Sequence, residues 1–295
     1  MQICPDAQET RKNRVAGGAG LWHPPPQHIC QLKRTPDMPT QTEKLAQFAS
    51  LHGGAQPLVL VNIWDAGSAR TVAAAGARAL ATGSASVGGA LGFADGEAVP
   101  LDLVLDHAAR IVAAVDLPVS LDFEAGYAAS ADGVAANIRR VVGTGAVGIN
   151  LEDGYPAGDG EGVRAIGDAT ARIEAARAAA DSLLPGFWIN ARTDICLRAK
   201  AEDHAAHIND VIARGKAYAE AGASSFFVPG LRDMALIAKV CAACPLPVNV
   251  MAGPEAGGFG ALAEAGVRRI SYGPFPWRAA MATLTSFAER AAKAG

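Results

Sequence analysis

The sequence predicts an α/β protein folded as a single (β/α)8 TIM barrel, and three observations predict it. Eight short β-branched or apolar runs, each ending in a polar residue or Gly, occupy 58–64, 79–82, 119–123, 147–151, 187–191, 225–228, 248–251 and 269–272. Ala-rich segments of helical spacing at 101–115, 131–142, 169–182, 204–221 and 232–243 alternate with them, as in a parallel sheet. Setting aside residues 1–38 leaves 39–295, close to the ~250 residues of one such barrel. A doubly wound open sheet fits less well. It usually carries a Gly-rich phosphate turn after its first strand, whereas here the first run leads into Asp65-Ala66-Gly67-Ser68-Ala69 and no GxGxxG opens a helix.

Taken in order, residues 1–38 hold Gly17-Gly18-Ala19-Gly20 and Pro24-Pro25-Pro26 with no apolar period, which predicts a disordered N-terminal extension before a single catalytic domain over 39–295. No apolar stretch there suits a secretory signal, and Met38 stands as an initiator directly before an amphipathic helix at 42–51. Gly76, Gly145 and Gly222 each close a helix before the next strand, where a left-handed turn is needed. The chain finishes in a helix over 274–294 with Trp277, Met281, Leu284 and Phe287 at roughly helical spacing.

Composition narrows the partners. A net charge of −3 with 6% aromatic residues offers no basic stripe for phosphates, which argues against nucleic acid. No run approaches the ~18 apolar residues of a membrane span, so no membrane partner is expected. Five cysteines, an odd number in a long chain, suit a reducing cytoplasm better than a disulfide framework. A small molecule is the expected partner.

Catalytic groups of a barrel belong at the C-terminal ends of its strands. Those ends are acidic here: Asp65 follows the first run, Asp122 and Glu124 the third, Glu152 and Asp153 the fourth, Arg192 and Asp194 the fifth. Residues two apart on a strand share a face, which pairs Asp122 with Glu124, Asn150 with Glu152, and Asn190 with Arg192. Carboxylates gathered in one mouth repel each other unless a hard cation sits among them, and Mg2+ suits oxygen donors. An Asp after a strand is also an ordinary helix N-cap, and for Asp65 that reading is equally open. No Lys or His falls on a strand run, which disfavours Schiff-base chemistry and a His-ligated zinc. Cys241 and Cys244 sit at a helix end, where core packing is the plainer reading.

Four segments carry a resemblance: Asn62-Ile63-Trp64-Asp65-Ala66-Gly67-Ser68-Ala69, Leu121-Asp122-Phe123-Glu124-Ala125-Gly126-Tyr127, Gly148-Ile149-Asn150-Leu151-Glu152-Asp153 and Ile189-Asn190-Ala191-Arg192-Thr193-Asp194. In this order they resemble the signature segments of the isocitrate lyase/phosphoenolpyruvate mutase superfamily. The resemblance implies a Mg2+-dependent barrel, with Mn2+ as a substitute, acting on small 2-oxo or 2-hydroxy carboxylic acids through a metal-stabilised enolate. It implies metal ligation by Asp65, Asp122, Glu124 and Glu152, directly or through water, and a carboxylate clamp at Arg192. Trp64, Gly83, Ser84, Ala85 and Asn249 would contact the substrate, and Asp65 and Tyr155 would join Arg192 in catalysis. It further implies a homodimer or homotetramer that exchanges the C-terminal helix.

The departures are informative. The lyases of the superfamily resemble each other in a Lys-[Lys/Arg]-Cys-Gly-His lid, but here Glu152-Asp153 runs into Gly154-Tyr155-Pro156-Ala157-Gly158-Asp159-Gly160-Glu161-Gly162, with no Cys. Only Tyr155, Asp159 and Glu161 offer local proton donors. Nor does this loop contain the Lys and Asn or Ser that mutases and phosphonopyruvate hydrolases use on a phosphoryl group. The sequence reading is therefore a carbon–carbon lyase or decarboxylase. Phosphorus–carbon chemistry, a phosphate-binding barrel using Gly253 and Gly273 (with Glu255 opposing the anion), and a non-catalytic 2-oxo acid-binding barrel are the alternatives.

Overall fold

The computed structural model describes residues 39–156, 159–253 and 259–294, so the expectations for residues 1–38 and for Glu255 lie outside the described residues. The unit Met38–Gly295 is a parallel barrel. It begins with α1 (Gln41–His52), β1 (Leu58–Leu60), β2 (Asn62–Ile63), α2 (Ala66–Ala74), β3 (Leu80–Thr82), α3 (Ser84–Leu91), α4 (Leu101–Ala113) and β4 (Val119–Asp122). It continues with α5 (Ala131–Gly143), β5 (Gly148–Glu152), α6 (Ile166–Asp181), β6 (Trp188–Arg192), α7 (Ile195–Arg198) and α8 (His204–Glu220). It closes with β7 (Ser225–Val228), α9 (Met234–Ala243), β8 (Val248–Met251), α10 (Gly260–Glu264), β9 (Val267–Ser271) and α11 (Phe275–Lys293).

The described strands number nine rather than eight, because the first run breaks at Val61. The sheet order is β1-β9-β8-β7-β6-β5-β4-β3-β2, so β1 pairs with β9 and β2 with β3. The two halves of one extended stretch thus stand at the two ends of the sheet. At the break, the Asn62 side chain replaces ladder bonds: its Nδ2 donates to the Thr82 carbonyl at 2.8 Å, and its Oδ1 accepts from Tyr272 N at 2.9 Å and Gly273 N at 2.8 Å. Gly76, Gly145 and Gly222 have φ of 94°, 88° and 92°, the left-handed turns a side chain would strain.

Helix α1 starts with a capping box, Thr40 accepting from Glu43 N and the Glu43 carboxylate accepting from Thr40 N. It lies across the N-terminal ends of the strands, since Gln41 donates to the Val142 and Ala146 carbonyls and Lys44 Nζ to the Val115 carbonyl. Phe48 and His52 complete the plug, with the His52 ring stacked on Trp188 at 4.0 Å. His52 Nδ1 donates to the Phe48 carbonyl at 2.8 Å. Burial, reinforced by Arg269, pushes the imidazole down to about 3, so the folded protein excludes a proton that the unfolded chain takes up near 6.5. The native state therefore has its full stability from this group above pH 6.5 and loses it as pH falls from there toward 3. Below pH 6 this one site is expected to cost about 1.4 kcal/mol per pH unit, and His52→Phe, which retains a stacking ring, should flatten that part of the slope in denaturant melts run from pH 7 to 4.

No residue of α11 is buried, and Leu284 and Phe287 are 59% and 65% exposed. Its first turn is fastened to α3, because Gly89 leaves room for Trp277: a Cβ there would meet the indole at 2.8 Å. An apolar helix face left uncovered to this extent is expected to be covered by another copy of the chain. Sedimentation should show a homodimer or homotetramer, and Leu284→Glu with Phe287→Glu should shift it to monomer; a wild-type monomer at tens of micromolar would count against that expectation.

Candidate active site

At the C-terminal ends of β4, β5 and β6 a cavity of about 330 Å3 opens, large enough for a small organic acid. Asp95, Glu124, Glu152 and Asp194 line it with Arg192 and Arg198, and Ser84 faces it from the start of α3 and Tyr155 from the loop after β5. Asp122, the last residue of β4, adjoins it: its Oδ2 accepts from Ser84 N at 3.0 Å and its Oδ1 from Asn150 Nδ2 at 3.1 Å.

Glu124 does not reach the site by strand alternation, because β4 ends at Asp122 and Glu124 takes a left-handed backbone with φ 48°. Glu97 (φ 62°) and Tyr127 (φ 55°) do the same, and these three are the left-handed non-glycine residues among the described residues. They hold one another. Glu124 Oε2 accepts from Glu97 N at 2.6 Å, Glu97 Oε1 accepts from Tyr127 N at 2.6 Å, and Tyr127 OH donates to Glu124 Oε1 at 2.7 Å. Each such residue carries on the order of 1–3 kcal/mol of backbone strain, and strain of this kind gathers at ligand sites.

Arg192 ends β6 with its fork between two carboxylates, Nη1 2.7 Å from Glu152 Oε2 and Nε 2.6 Å from Asp194 Oδ1. Burial alone would lower its pKa, but Glu152, Asp194 and Asp122 outweigh that and hold it above its ordinary value. The acids are crowded. Burial, then Asp122 and Asp95, keeps Glu124 up at about 7 despite its hydrogen bonds. Burial and Asp122 raise Asp95, and burial raises Glu152 against the pull of Arg192. Five neighbouring carboxylates around two guanidiniums, Arg192 and Arg198, both paired to Asp194, carry more negative charge than these two cations neutralise.

Oxygen donors in surplus are the chemistry that suits a hard divalent cation. Among the described residues, no three His, Cys, Asp or Glu side chains converge closely enough to form a complete cage. The arrangement therefore fits an ion such as Mg2+ that keeps several waters and takes one or two carboxylates, better than a fully protein-ligated metal.

The remaining predicted residues are placed as follows. Asp65 is the N-cap of α2, its Oδ1 accepting from Ser68 N at 2.6 Å, and it does not line the cavity; Asp95 stands there instead. Trp64 lies past the end of β2, its carbonyl accepting from His107 Nε2 at 2.6 Å. Gly83 caps α3 with Ala85 in its first turn, and of that segment Ser84 faces the cavity. Asn249 is fully buried inside the barrel, where its Oδ1 accepts from Asn190 Nδ2 and its Nδ2 donates to the Val250 and Arg269 carbonyls. It belongs to the core lattice, not to the cavity wall. Asp153 turns away from its neighbour Glu152 into the protein. Of the three loop candidates, Asp159 and Glu161 are exposed, while Tyr155 is half-buried on the cavity with the Arg164 guanidinium 4.3 Å over its ring. No described strand carries a Lys or His, and burial pushes the Cys241 thiol up to about 11, away from reactivity.

The phosphoenolpyruvate phosphomutase family matches residues 48–292. An uncharacterized protein of Mycobacterium tuberculosis is 31% identical over 79% of this chain and 84% of its own length. The 2-methylisocitrate lyase of Escherichia coli and an oxaloacetate decarboxylase of Rhodopseudomonas palustris are each 31% identical, over 65% and 64% of this chain and 64% of their own lengths. A Burkholderia cenocepacia J2315 structure, provisionally named a phosphonomutase, is 49% identical with a TM-score of 0.81, covering 85% of this chain and 99% of that one. A phosphonopyruvate hydrolase solved with oxalate and Mg2+ shares the fold at 20% identity and a TM-score of 0.74, covering 85% and 88%. Barrel, strand-end site and these matches agree: the chain belongs to the phosphoenolpyruvate phosphomutase family, whose relatives include lyases, a decarboxylase, a mutase and a hydrolase.

Proposed function

We propose that the protein is a Mg2+-dependent carbon–carbon lyase or decarboxylase of a small 2-oxo or 2-hydroxy carboxylic acid. The observation that carries this reading is the surplus of carboxylates gathered beside Arg192 around a 330 Å3 cavity. Asp122, Glu124 and Glu152, with Asp95, would hold Mg2+ or Mn2+ directly or through water. When bound, the cation supplies Lewis acidity for the negative charge that develops on the 2-oxo oxygen. Arg192 binds the substrate carboxylate as a planar, permanently charged fork and fixes its orientation. Tyr155, held on the cavity wall by Arg164 and by the Arg198 bond to its carbonyl, would pass a proton. The named activities of the E. coli and R. palustris relatives support this chemistry.

A panel of oxaloacetate-like acids, assayed for pyruvate release, tests it. Turnover is expected with Mg2+, is expected to vanish with a chelator and to return on adding Mn2+; equal rates with and without chelator would overturn the reading. The likeness to the Burkholderia protein favours a second reading, phosphorus–carbon bond chemistry, which phosphate release from phosphonopyruvate would reveal. The loop 154–162, without Lys, Asn or Ser, weighs against it.

A further inference from the structure

Behind the cavity, Asp153 is 2% exposed and takes no part in lining it. Its Oδ2 accepts from two side chains of α8, Tyr218 OH at 2.7 Å and Arg214 Nη1 at 3.0 Å. Its Oδ1 accepts from the backbone N–H of Asp194 at 2.9 Å. Its own N–H donates to the Arg192 carbonyl at 3.0 Å, and its carbonyl accepts from Arg164 N at 2.8 Å. Arg214 Nη1 also donates to the Arg164 carbonyl at 2.9 Å. One buried node therefore ties together the end of β6, the end of β5 and the returning end of the loop that bears Tyr155, which is itself closed by the Gly154–Val163 bridge.

We infer that Tyr218 and Arg214 are positioning residues for the carboxylate clamp. They act through Asp153, which pins the Asp194 amide and so sets where the Asp194 carboxylate holds the Arg192 fork. The physical reason is directional. A guanidinium recognises a carboxylate through two parallel bonds in one plane, and a misplacement on the order of 1 Å from a remote change is enough to cost a large part of that recognition. Arg192 takes its plane from Asp194 at 2.6 Å and Glu152 at 2.7 Å, and of these two it is Asp194 whose backbone N–H is tied to Asp153, itself held by two donors from α8. The packing cost of a buried carboxylate with three hydrogen bonds is thereby turned to orienting a group one strand away. Sequence alternation places Glu152 and Asp153 on opposite sides, which divides the labour of the adjacent acids: one faces the cavity and its neighbour holds the frame.

The inference rests on the proposed role of Arg192 only for its ligand readout, and its test has a second arm that needs no ligand. In Tyr218→Phe, hydrogen exchange should quicken locally over 192–198 and 163–165, with the rest of the barrel unchanged. Oxalate binding in saturating Mg2+, measured by titration calorimetry, should weaken about tenfold while Mg2+ binding alone stays as in wild type. Arg214→Lys, which keeps the charge and one donor, should fall between wild type and Tyr218→Phe in both measurements. If wild type binds no oxalate but the local exchange change is present, the proposed function fails and the positioning route stands. Unchanged exchange at 192–198 in Tyr218→Phe, or a loss of oxalate affinity matched by an equal loss of Mg2+ affinity, would overturn the inference. Should Tyr218→Phe fail to fold, Arg214→Lys carries both arms with the same criteria.

Discussion

Arg192→Lys is expected to lower kcat/KM by at least about tenfold toward any 2-oxo acid that the enzyme turns over, with folding and Mg2+ binding retained. In the structure the guanidinium spans Glu152 and Asp194 with different nitrogens, 2.7 and 2.6 Å away, a geometry that needs the planar fork. Lysine keeps the charge and three donors, but on one nitrogen they cannot reproduce the planar fork that serves these two partners from separate atoms. A hydrogen bond to a charged group contributes roughly 1.5–3 kcal/mol, so losing one bidentate arm corresponds to tenfold or more. The loss should appear mainly in KM if the clamp binds ground state and transition state alike, and in kcat if it aligns the reacting bond. An Arg192→Lys enzyme of wild-type efficiency would leave the carboxylate clamp without a carrier and reduce Arg192 to an ion-pair partner.

Asp122→Asn should do the converse. The amide keeps the volume and still accepts from Ser84 N, but it removes one negative charge from the place where Ser84 and Asn150 aim the carboxylate oxygens. Removing even an outer partner of a metal ligand typically costs 10–100-fold in affinity, so Mg2+ binding should weaken by roughly that factor or more, as calorimetry would read. Activity should fall with it and recover partly at high Mg2+. An unchanged Mg2+ affinity would move the cation site away from β4.

Much of the barrel was legible because strands buried on both faces read as short apolar runs whichever way they pair. The break at Val61 was not, since a lone polar residue, Asn62, inside Leu58-Val59-Leu60-Val61-Asn62-Ile63 reads equally as one position of a continuous strand. Glu152 and Arg192 were legible as strand ends because β5 and β6 do end on them. Glu124 was found for an incomplete reason: it faces the cavity by a left-handed backbone that a glutamate does not advertise. Asp95 was passed over because it lies in the loop after α3, where a rule about strand ends does not look, although two acids flanking a glycine in Asp95-Gly96-Glu97 were a signal. Asp65 takes the helix-cap role that the sequence had left equally open, because a cap shares the sequence context of a ligand. Asn249 faces inward as alternation predicts, but alternation gives direction and not depth along the barrel axis.

The side chain of Asn62 bonds to Tyr272 N, 210 residues away, and to the Thr82 carbonyl on the other side of the break. While the chain is being made, β1 must wait, because its partner β9 is the last of the described strands to leave the ribosome. Everything from β2 to β8 can pair with a neighbour already present, so closure of the ring is a late event with a long loop to bridge, and loop-closure entropy makes it slow. Until then a strand edge is open to other chains. Asn62 is the clasp of that last step: Asn62→Leu should leave the early ladder intact, slow the final folding phase, and raise the yield of aggregated protein on refolding.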